Sequence, residues 1–444
     1  MPIDAAIFDC DGTILDSMPM WTNSCVGLLR SYGVLDAERV FSEHESLDMF
    51  AKCQWYHQHL GIGESAEALY RELWCTVKAA YGNEVSPYEG CESFLRELRA
   101  SGAPMVIVSS TPTELVRAAL RMHGLDKYFD QVIFAGDVGR GKEHPDCYLY
   151  AARKLDTARE NTWVFEDAPF GIRSAARAGF PTVAILNDHD GRDALFLERW
   201  ATVVARSYDE LSMQRLAGLS ARVLRALVVA GSPEPSSADL VARLAGESDY
   251  VIAADRGAEV LRVAGKKPDV FCGDEDSVNE ASRTWARRTA SHTDLHPVEK
   301  DDSDLGLAVS YARAKADELG SALRLTVTCA AGGRPDHALG VWGVLAKNAD
   351  VAPRMVEDAF EAHVLSPSGI ATWQIGGVVG ALVSVLPLCD EARVTEYGMR
   401  WELDEERLGL LSDRGLSNYV VTRDAFVRCE EGTIAVFVFV DDTM

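Results

Sequence analysis

The sequence predicts an α/β protein with an α/β first half, a second α/β lobe and an all-β sandwich at the end. Short apolar runs such as Ala5–Phe8 and Val270–Cys272 stop abruptly at acidic or glycine residues. Buried parallel strands have this pattern when they present polar groups at the carboxyl edge of a sheet. From about residue 351 the periodicity becomes strand-like, with turn residues between short runs, which is typical of a β sandwich.

Composition limits the partners and the compartment. At about 150 residues per domain, the 444 residues suggest about three units. A net charge of −24 argues against nucleic acid or an anionic membrane as partner. The ten cysteines are scattered, and the chain opens into a strand without a basic–apolar leader, which predicts free thiols in the cytoplasm. The apolar run Val378–Leu388 is too short to span a bilayer.

An acidic motif directly follows the first predicted strand, and catalysis explains the spacing of its two aspartates. Asp9–Cys10–Asp11–Gly12–Thr13 comes directly after Ala5–Phe8. A carboxylate nucleophile at a strand end needs a second acid two residues on to protonate the leaving group, and Gly12 permits the turn between them. A random acidic turn is the alternative for this pentapeptide alone.

A helical insert then interrupts the α/β pattern. Apolar residues recur at helical spacing over Met18–Tyr32, Ser46–Leu60 and Ser65–Tyr81. The α/β pattern resumes at Met105–Val108, which ends in Ser109–Ser110–Thr111.

The order of four motifs in this half resembles that of haloacid dehalogenase (HAD)-like phosphohydrolases: Asp9–Thr13, Ser109–Thr111, Gly141–Asp146 and Glu166–Asp167. The resemblance implies a Rossmann-like core within residues 1–210, with a helical C1 cap at about 17–85. It also implies a nucleophile (Asp9), a general acid (Asp11), phosphoryl-binding groups (Ser109 and Lys142) and Mg²⁺ ligands (Asp9, Asp11 and Asp167).

One departure from the family concerns its sugar phosphomutases. These carry a histidine five residues after the aspartate that matches Asp16, whereas this chain has Trp21. The departure favours hydrolysis over a mutase reaction. Met18, Met20 and Trp21 are the candidate selectivity residues because they follow the nucleophile closely.

The second half carries a dense acidic loop. Val270–Cys272 ends in Gly273 and three consecutive acids, of which Asp274 and Asp276 are candidate Mg²⁺ ligands at the edge of a sheet. Three acids alone are equally consistent with an acidic surface loop. Further motifs surround this one, namely Asp255–Ala258, Lys300–Asp304, Gly332–His337, Gly398 with Trp401–Leu403, and Gly415–Asn418.

In order, these segments resemble thiamine pyrophosphokinase, a family that transfers a diphosphoryl group from ATP to thiamine and releases AMP. The resemblance implies an α/β catalytic lobe at 223–350, a thiamine-binding β sandwich at 351–444 and a homodimer through this half. It implies catalytic groups (Asp274, Asp276, Lys300, Asp301, Arg334, Asp336), Mg²⁺ ligands (Asp274, Asp276, Asp304) and substrate-binding residues (Asp255, Arg256, Gly273, Ser277, Ser303, Gly333, His337, Trp401, Ser417, Asn418).

Some positions in this half leave alternatives open. The resemblance implies that Trp401 stacks on thiamine, but a tryptophan in a β sandwich is also commonly buried in the core. Glu275, Gly306 and Val341 depart from the usual family pattern, and the last two put some metal or nucleotide contacts in doubt.

The leading hypothesis is a bifunctional enzyme, a Mg²⁺-dependent phosphatase joined to a thiamine diphosphokinase. The fusion suggests, by association only, that the phosphatase converts thiamine monophosphate to thiamine. Another small phosphate ester is the alternative substrate. The alternative is that only the phosphatase is catalytic and the second half is a thiamine-binding or regulatory module.

Overall fold

The protein is represented by a computed structural model, which describes residues 3–44, 47–81, 85–139, 141–186, 194–274, 277–295 and 303–439. The chain forms two compact units, and the boundary along the chain lies between Arg222 and Val223. None of the helices within these described ranges is both long and apolar enough to cross a membrane.

The first unit is built on a parallel sheet. Its described strands are β1 (Ala5–Phe8), β2 (Met105–Ser109), β3 (Gln131–Phe134), β4 (Thr162–Glu166), β5 (Thr182–Ile185) and β6 (Val203–Ala205). They are ordered β3–β2–β1–β4–β5–β6, so β1 lies between β2 and β4. Because parallel strands end at one edge, the residues that follow these three strands converge.

Helices surround this sheet and form the cap. The described cap helices are α1 (Met18–Ser31), α2 (Ala37–Glu43), α3 (Met49–Leu60) and α4 (Ala66–Tyr81). The remaining helices of this unit are α5 (Cys91–Ala100), α6 (Thr113–Met122), α7 (Asp146–Lys154), α8 (Pro169–Arg177), α9 (Ala194–Trp200) and α10 (Met213–Leu216). Helix α2 was not predicted, because its two turns are too short to show an apolar period.

The second unit begins with another parallel sheet. Its described strands are β7 (Val223–Val229), β8 (Tyr250–Ala254), β9 (Val270–Gly273), β10 (His292–Leu295), β11 (Ala322–Thr328) and β12 (Arg354–Glu357), in the order β10–β9–β8–β7–β11–β12. The accompanying helices are α11 (Ala238–Glu247), α12 (Gly257–Val263), α13 (Glu280–Thr289), α14 (Asp304–Leu319) and α15 (Pro335–Lys347).

The chain then continues as β structure. The described strands are β13 (Phe360–Leu365), β14 (Thr372–Gln374), β15 (Leu382–Pro387), β16 (Glu391–Tyr397), β17 (Leu403–Gly409), β18 (Asn418–Tyr419), β19 (Phe426–Glu431) and β20 (Ile434–Phe439). Strand β13 pairs antiparallel with β12, and β20, β15 and β18 extend the same sheet. The second sheet is ordered β14–β19–β16–β17.

Apolar residues of both sheets share one core, including Val385 and Val436 from the first sheet and Val394 and Val427 from the second. The predicted fold class is therefore confirmed. The structure adds that one sheet of the sandwich continues the sheet of the α/β lobe. Strand β17 was not predicted because it is polar and largely exposed, so its sequence carries no apolar alternation.

Candidate active sites

The first site lies at the carboxyl edge of the first sheet. Phe8 pairs with Phe165, so Asp9 and Glu166 leave neighbouring strands at the same level. The Asp9 backbone N–H donates to the Phe165 carbonyl oxygen at 2.9 Å. Ser109, the last residue of β2, is also buried at this edge. The strand order thus brings together side chains that are far apart in the sequence.

Lys142 connects two of these acids. Its ammonium donates to the Asp9 carboxylate and, at 2.9 Å, to Glu166 Oε1. All three side chains are buried. Burial acts to lower the pKa of Lys142, but the charges of Asp9 and Glu166 outweigh it and raise that pKa. Burial raises the pKa of Asp9, and the Lys142 charge opposes this shift. Lys142 is therefore a fixed cation beside Asp9.

Glu166, which the sequence does not single out as a site residue, bonds both Lys142 and the turn after β4. Its Oε2 accepts from the backbone N–H groups of Asp167 at 2.7 Å and Ala168 at 2.6 Å. Tyr148 donates its hydroxyl to Glu166 Oε1 at 3.3 Å. Glu166 therefore fixes both Lys142 and the turn that carries Asp167. Its position in the sequence, an acid at the end of a predicted strand and directly before Asp167, could have identified it as a site residue.

Asp11 is held by hydroxyl groups. Its Oδ1 accepts from Ser17 at 2.6 Å and also from Tyr81, and its Oδ2 accepts from Thr111 at 2.8 Å. Trp21 donates its indole N–H to the Tyr81 hydroxyl at 3.2 Å. Since Tyr81 and Trp21 belong to cap helices, the candidate general acid is bonded to both the cap and the core.

The acids fit a divalent cation. Oxygens of Asp9, Glu166 and Asp167 lie within 4.8 Å of one another, and carboxylate oxygens are ligands that Mg²⁺ prefers. The side chain of Asp11 is not part of this group. Gly12 adopts φ +83°, and a Cβ there would stand 2.1 Å from Asp167 Oδ2. Only glycine therefore allows the turn to pass so close to the acid group.

The second site lies at the carboxyl edge of the second sheet. Oxygens of Asp255, Asp274 and Asp304 lie within 4.8 Å of one another, a donor set that also suits Mg²⁺. Gly273 adopts φ +135°, and a Cβ there would lie 3.2 Å from both Asp255 Cβ and Asp304 Oδ1. Asp255, predicted as a substrate-binding residue, has its side chain in this acid group. Asp276, Lys300 and Asp301 lie outside the described residues.

A cleft of about 660 Å³ opens beside these acids. Its lining includes Ser232, Asp255, Arg256, Asp274, Ser277, Ser303, Asp304, Arg334, Asp336, His337 and Val341. Ser277 donates its hydroxyl to Asp255 Oδ2, and Arg256 Nε donates to the Ser277 carbonyl oxygen at 3.4 Å. The Gly306 backbone N–H donates to Ser303 Oγ at 3.2 Å. The cleft therefore combines acids with two arginines, as a magnesium–nucleotide site requires.

Arg334 and Asp336 form a two-point ion pair. Arg334 Nε and Nη2 donate to the two Asp336 oxygens at 3.1 and 2.6 Å. The hydrogen bonds from Arg334 lower the pKa of Asp336 to about 2. Gly333, at φ +74°, permits the turn before them. This geometry favours Asp336 as the residue that orients the Arg334 guanidinium.

Glu357 anchors the loop that leads to this pair. Its oxygens accept from the Ser236 hydroxyl at 2.5 Å and from the backbone N–H groups of residues 329–331 at 2.8 to 3.2 Å. Glu357 was not singled out in the sequence, because an acid at the end of an apolar strand does not reveal which donors it meets.

Replacing Glu357 with glutamine is expected to lower the free energy of unfolding of the second unit by about 2–4 kcal/mol. The amide NH₂ of glutamine would face N–H donors and leave at least one of them unpaired. Urea unfolding, compared with the exposed control Glu280→Gln, measures the change. An unchanged midpoint would contradict the anchoring role.

The β sandwich presents Trp401. The residue is 57% exposed, so it is not part of the core. Ser417 is exposed in the left-handed region at φ +58°, and its backbone N–H donates to Ser384 Oγ at 3.1 Å. Asn418, in contrast, is buried. The exposed Trp401 indole and the exposed Ser417 are both available for contact with a ligand.

Each half of the chain matches the model of a known protein family. A family model for haloacid dehalogenase-like hydrolases matches residues 3–179, and one for the thiamin pyrophosphokinase catalytic domain matches residues 241–356. A phosphorylated carbohydrates phosphatase of Thermotoga maritima is 28% identical over 196 residues, which cover 42% of this chain and 88% of the relative. Validoxylamine A 7'-phosphate phosphatase of Streptomyces hygroscopicus subsp. limoneus is 30% identical over 188 residues, 42% of this chain and 86% of the relative.

A solved thiamine pyrophosphokinase from Bacillus subtilis aligns with 49% of this chain and 99% of its own, at 24% identity and a TM-score of 0.42. The family assignment rests on the sequence matches and on the motifs described above. The chain belongs to the haloacid dehalogenase-like hydrolases through its first half, and residues 241–356 of its second half match the model of the thiamin pyrophosphokinase catalytic domain.

Proposed function

We propose that the protein is a bifunctional, Mg²⁺-dependent enzyme, a phosphatase of small phosphate monoesters and a thiamine diphosphokinase. One observation carries the proposal: each parallel sheet has its own group of three carboxylates at its carboxyl edge. A cation accompanies each site, Lys142 in the first and Arg334 in the second. Phosphoryl transfer requires both kinds of group, because acids hold the metal and cations neutralise phosphate oxygens.

In the phosphatase, a carboxylate oxygen of Asp9 attacks phosphorus and the ester P–O bond breaks. Asp11 delivers a proton to the leaving oxygen, then takes one from the water that hydrolyses the aspartyl phosphate. Asp11 accepts three hydroxyl hydrogen bonds, which leaves about one of the four acceptor sites of its carboxylate, on Oδ2, for the proton that it transfers. Mg²⁺ held by Asp9 and Asp167 would neutralise charge on the phosphoryl oxygens.

In the kinase, the thiamine hydroxyl oxygen attacks the β-phosphorus of ATP. The bond between the α- and β-phosphates breaks, AMP leaves and the hydroxyl proton is released. Arg334 neutralises phosphate charge, and Asp336 orients the Arg334 guanidinium. Asp255, Asp274 and Asp304 would hold the Mg²⁺ that accompanies ATP, together with Asp276.

The direct test uses purified protein with thiamine and Mg-ATP, followed by chromatography for AMP and thiamine diphosphate. Equal amounts of both products support the kinase. Tight thiamine binding without AMP would instead support the alternative, a binding or regulatory module. Val341 lines the cleft and Gly306 contacts Ser303, so the two unusual positions lie where such a loss of catalysis would arise.

The cap bears on the phosphatase substrate. The cap residues that line the cavity with Asp9 are apolar apart from Lys52, among the described residues. Lys52 is 7% exposed, and its ammonium donates to the Leu47 carbonyl oxygen. Thiamine monophosphate is the substrate that the fusion suggests, but its thiazolium is cationic and Lys52 would oppose it. The positive charge of Lys52 favours the other candidate substrate, a small phosphate ester rich in hydroxyl or anionic oxygens.

Lys52→Met is expected to raise kcat/KM for thiamine monophosphate by about tenfold relative to glycerol 2-phosphate, since about 1.4 kcal/mol of charge repulsion disappears. Steady-state phosphate release with the two esters measures the ratio. Lys78→Met, on the exposed side of cap helix α4, is the control. An unchanged ratio would mean that Lys52 does not face the leaving group.

The remaining assignments concern assembly and compartment. We propose a homodimer through the second half, because Trp401, Leu416, Tyr419 and Val421 leave apolar surface exposed near edge strand β18. We place the enzyme in the cytoplasm, where ATP is available and the ten free cysteines stay reduced. Light scattering on the eluted protein tests the dimer.

A further inference from the structure

Asn418 has no hydrogen-bonding capacity left for a ligand. Its Oδ1 accepts from the backbone N–H groups of Trp401 at 3.1 Å and Tyr419 at 2.9 Å. Its Nδ2 donates to the Trp401 carbonyl oxygen at 2.6 Å and to Glu396 Oε2 at 2.7 Å. A side-chain amide has two donors and two acceptor sites, so all four are used. Asn418 therefore holds both backbone groups of Trp401.

Glu396 lies beneath this amide. On β16 the residues Ala392, Val394 and Glu396 are buried in alternation, so Glu396 occupies a position where the sandwich core elsewhere takes an apolar side chain. It is 1% exposed, and its Oε1 has no hydrogen-bond partner among the described residues. Burial raises its pKa to about 7, while the bond from Asn418 opposes the shift.

Such a residue is costly, because a buried carboxyl group with a single partner loses most of its hydration. A leucine in its place would pack without this cost. The contact that the acid makes is with Asn418, and Asn418 in turn fixes the main chain of Trp401. The indole beyond this anchor is 57% exposed, and the Arg400 guanidinium lies 4.9 Å from its ring centre. The exposed ring thus already accepts a cation on its face.

We propose that Glu396 and Asn418 form a buried clamp that positions the Trp401 indole, which makes Glu396 a positioning residue for thiamine affinity. The proposal rests on the thiamine kinase function proposed above. It also changes the expected role of Asn418, which acts through the main chain of Trp401 and not by touching thiamine. A cationic aromatic ligand such as thiamine would replace or join Arg400 at the ring.

The test compares steady-state kinetics of Glu396→Leu, Glu396→Gln and Asn418→Ala in the full chain. Glu396→Leu should raise the KM for thiamine about tenfold, the equivalent of one lost hydrogen bond to a charged or strongly polar group, with kcat and the KM for Mg-ATP unchanged. Glu396→Gln keeps a carbonyl oxygen for Asn418 and should restore the wild-type KM. The matched control is Glu430→Leu. Glu430 is a half-buried acid on β19 that accepts a hydrogen bond from the Thr395 hydroxyl, and its replacement should change none of these values.

A double mutant tests whether Glu396 acts on Trp401 through Asn418. If Glu396 acts through Asn418, Glu396→Leu combined with Asn418→Ala should have the KM of Asn418→Ala alone. Additive effects would mean that Glu396 acts by another path and would overturn the clamp. A thiamine KM for Glu396→Leu that equals the wild-type value would also overturn it.

A second readout does not depend on thiamine turnover. Deuterium exchange of residues 398–403 should accelerate in Glu396→Leu and Asn418→Ala and return to the wild-type rate in Glu396→Gln. If the wild-type protein makes no thiamine diphosphate, the proposed kinase fails, and exchange alone then decides the clamp. Unchanged exchange in both disruptive variants would overturn the clamp whatever the kinase does.

Discussion

Asp9→Asn is expected to lower phosphatase turnover by at least about 10³-fold, because an amide cannot replace the carboxylate nucleophile and residual activity comes from binding alone. The substitution also replaces the charged acceptor of the Lys142 ammonium with a neutral amide oxygen. Formation of thiamine diphosphate should keep its wild-type rate, because the acids of the second site belong to the other sheet. Phosphate release from a small ester and AMP release from Mg-ATP measure the two activities in one preparation.

The control for this variant is Asp126→Asn, an exposed aspartate of the same unit. It should leave both activities unchanged. A phosphatase rate that survives in Asp9→Asn would remove Asp9 from its proposed role. A loss of both activities would indicate that the two halves do not function separately.

Asp274→Asn is expected to have the reciprocal effect, with thiamine diphosphate formation lowered by about 10²-fold and phosphatase activity retained. Its carboxylate is one of three whose oxygens lie within 4.8 Å, so its loss weakens the hold on Mg²⁺. The Mg²⁺ concentration that gives half-maximal rate should therefore rise, and added Mg²⁺ should recover part of the activity. This partial recovery distinguishes a lost ligand from a lost fold.

Asp239→Asn, an exposed acid in the first turn of α11, is the control for the second site. Kinase activity that persists in Asp274→Asn at low Mg²⁺ would contradict the proposed ligand role. If the wild-type protein binds thiamine and neither protein releases AMP, the second half is a binding module.

Much of the first half was readable from its sequence. Short apolar runs that end in Asp9, Ser109 and Glu166 have one efficient arrangement, which is a parallel sheet with its polar groups at one edge. Periodicity also predicted the three longer cap helices. It did not reveal that Glu166 would bond Lys142, or that Tyr81 of the cap would donate to Asp11. Such contacts depend on which side chains face each other across separate elements.

In the second half, too, the sequence predicted some site residues and only the structure revealed others. The acids of the Asp274 loop and of the Asp304 helix start were visible as candidate ligands, but the place of Asp255 beside them depends on the neighbouring positions of β8 and β9. Polar strand β17 was missed because exposed strands need no apolar alternation.

The sequence by itself determined the fold class, the family of the first half, the family that the second half resembles and the residue types available for phosphoryl transfer. These properties are carried by local patterns, namely strand-end acids, glycine turns and helical or alternating periodicity. Only the tertiary structure decided which polar atoms meet, as in the Lys142–Glu166 contact and the Glu396–Asn418–Trp401 clamp. Hydrogen bonds act over about 3 Å, and the sequence does not specify distances between distant segments at that scale.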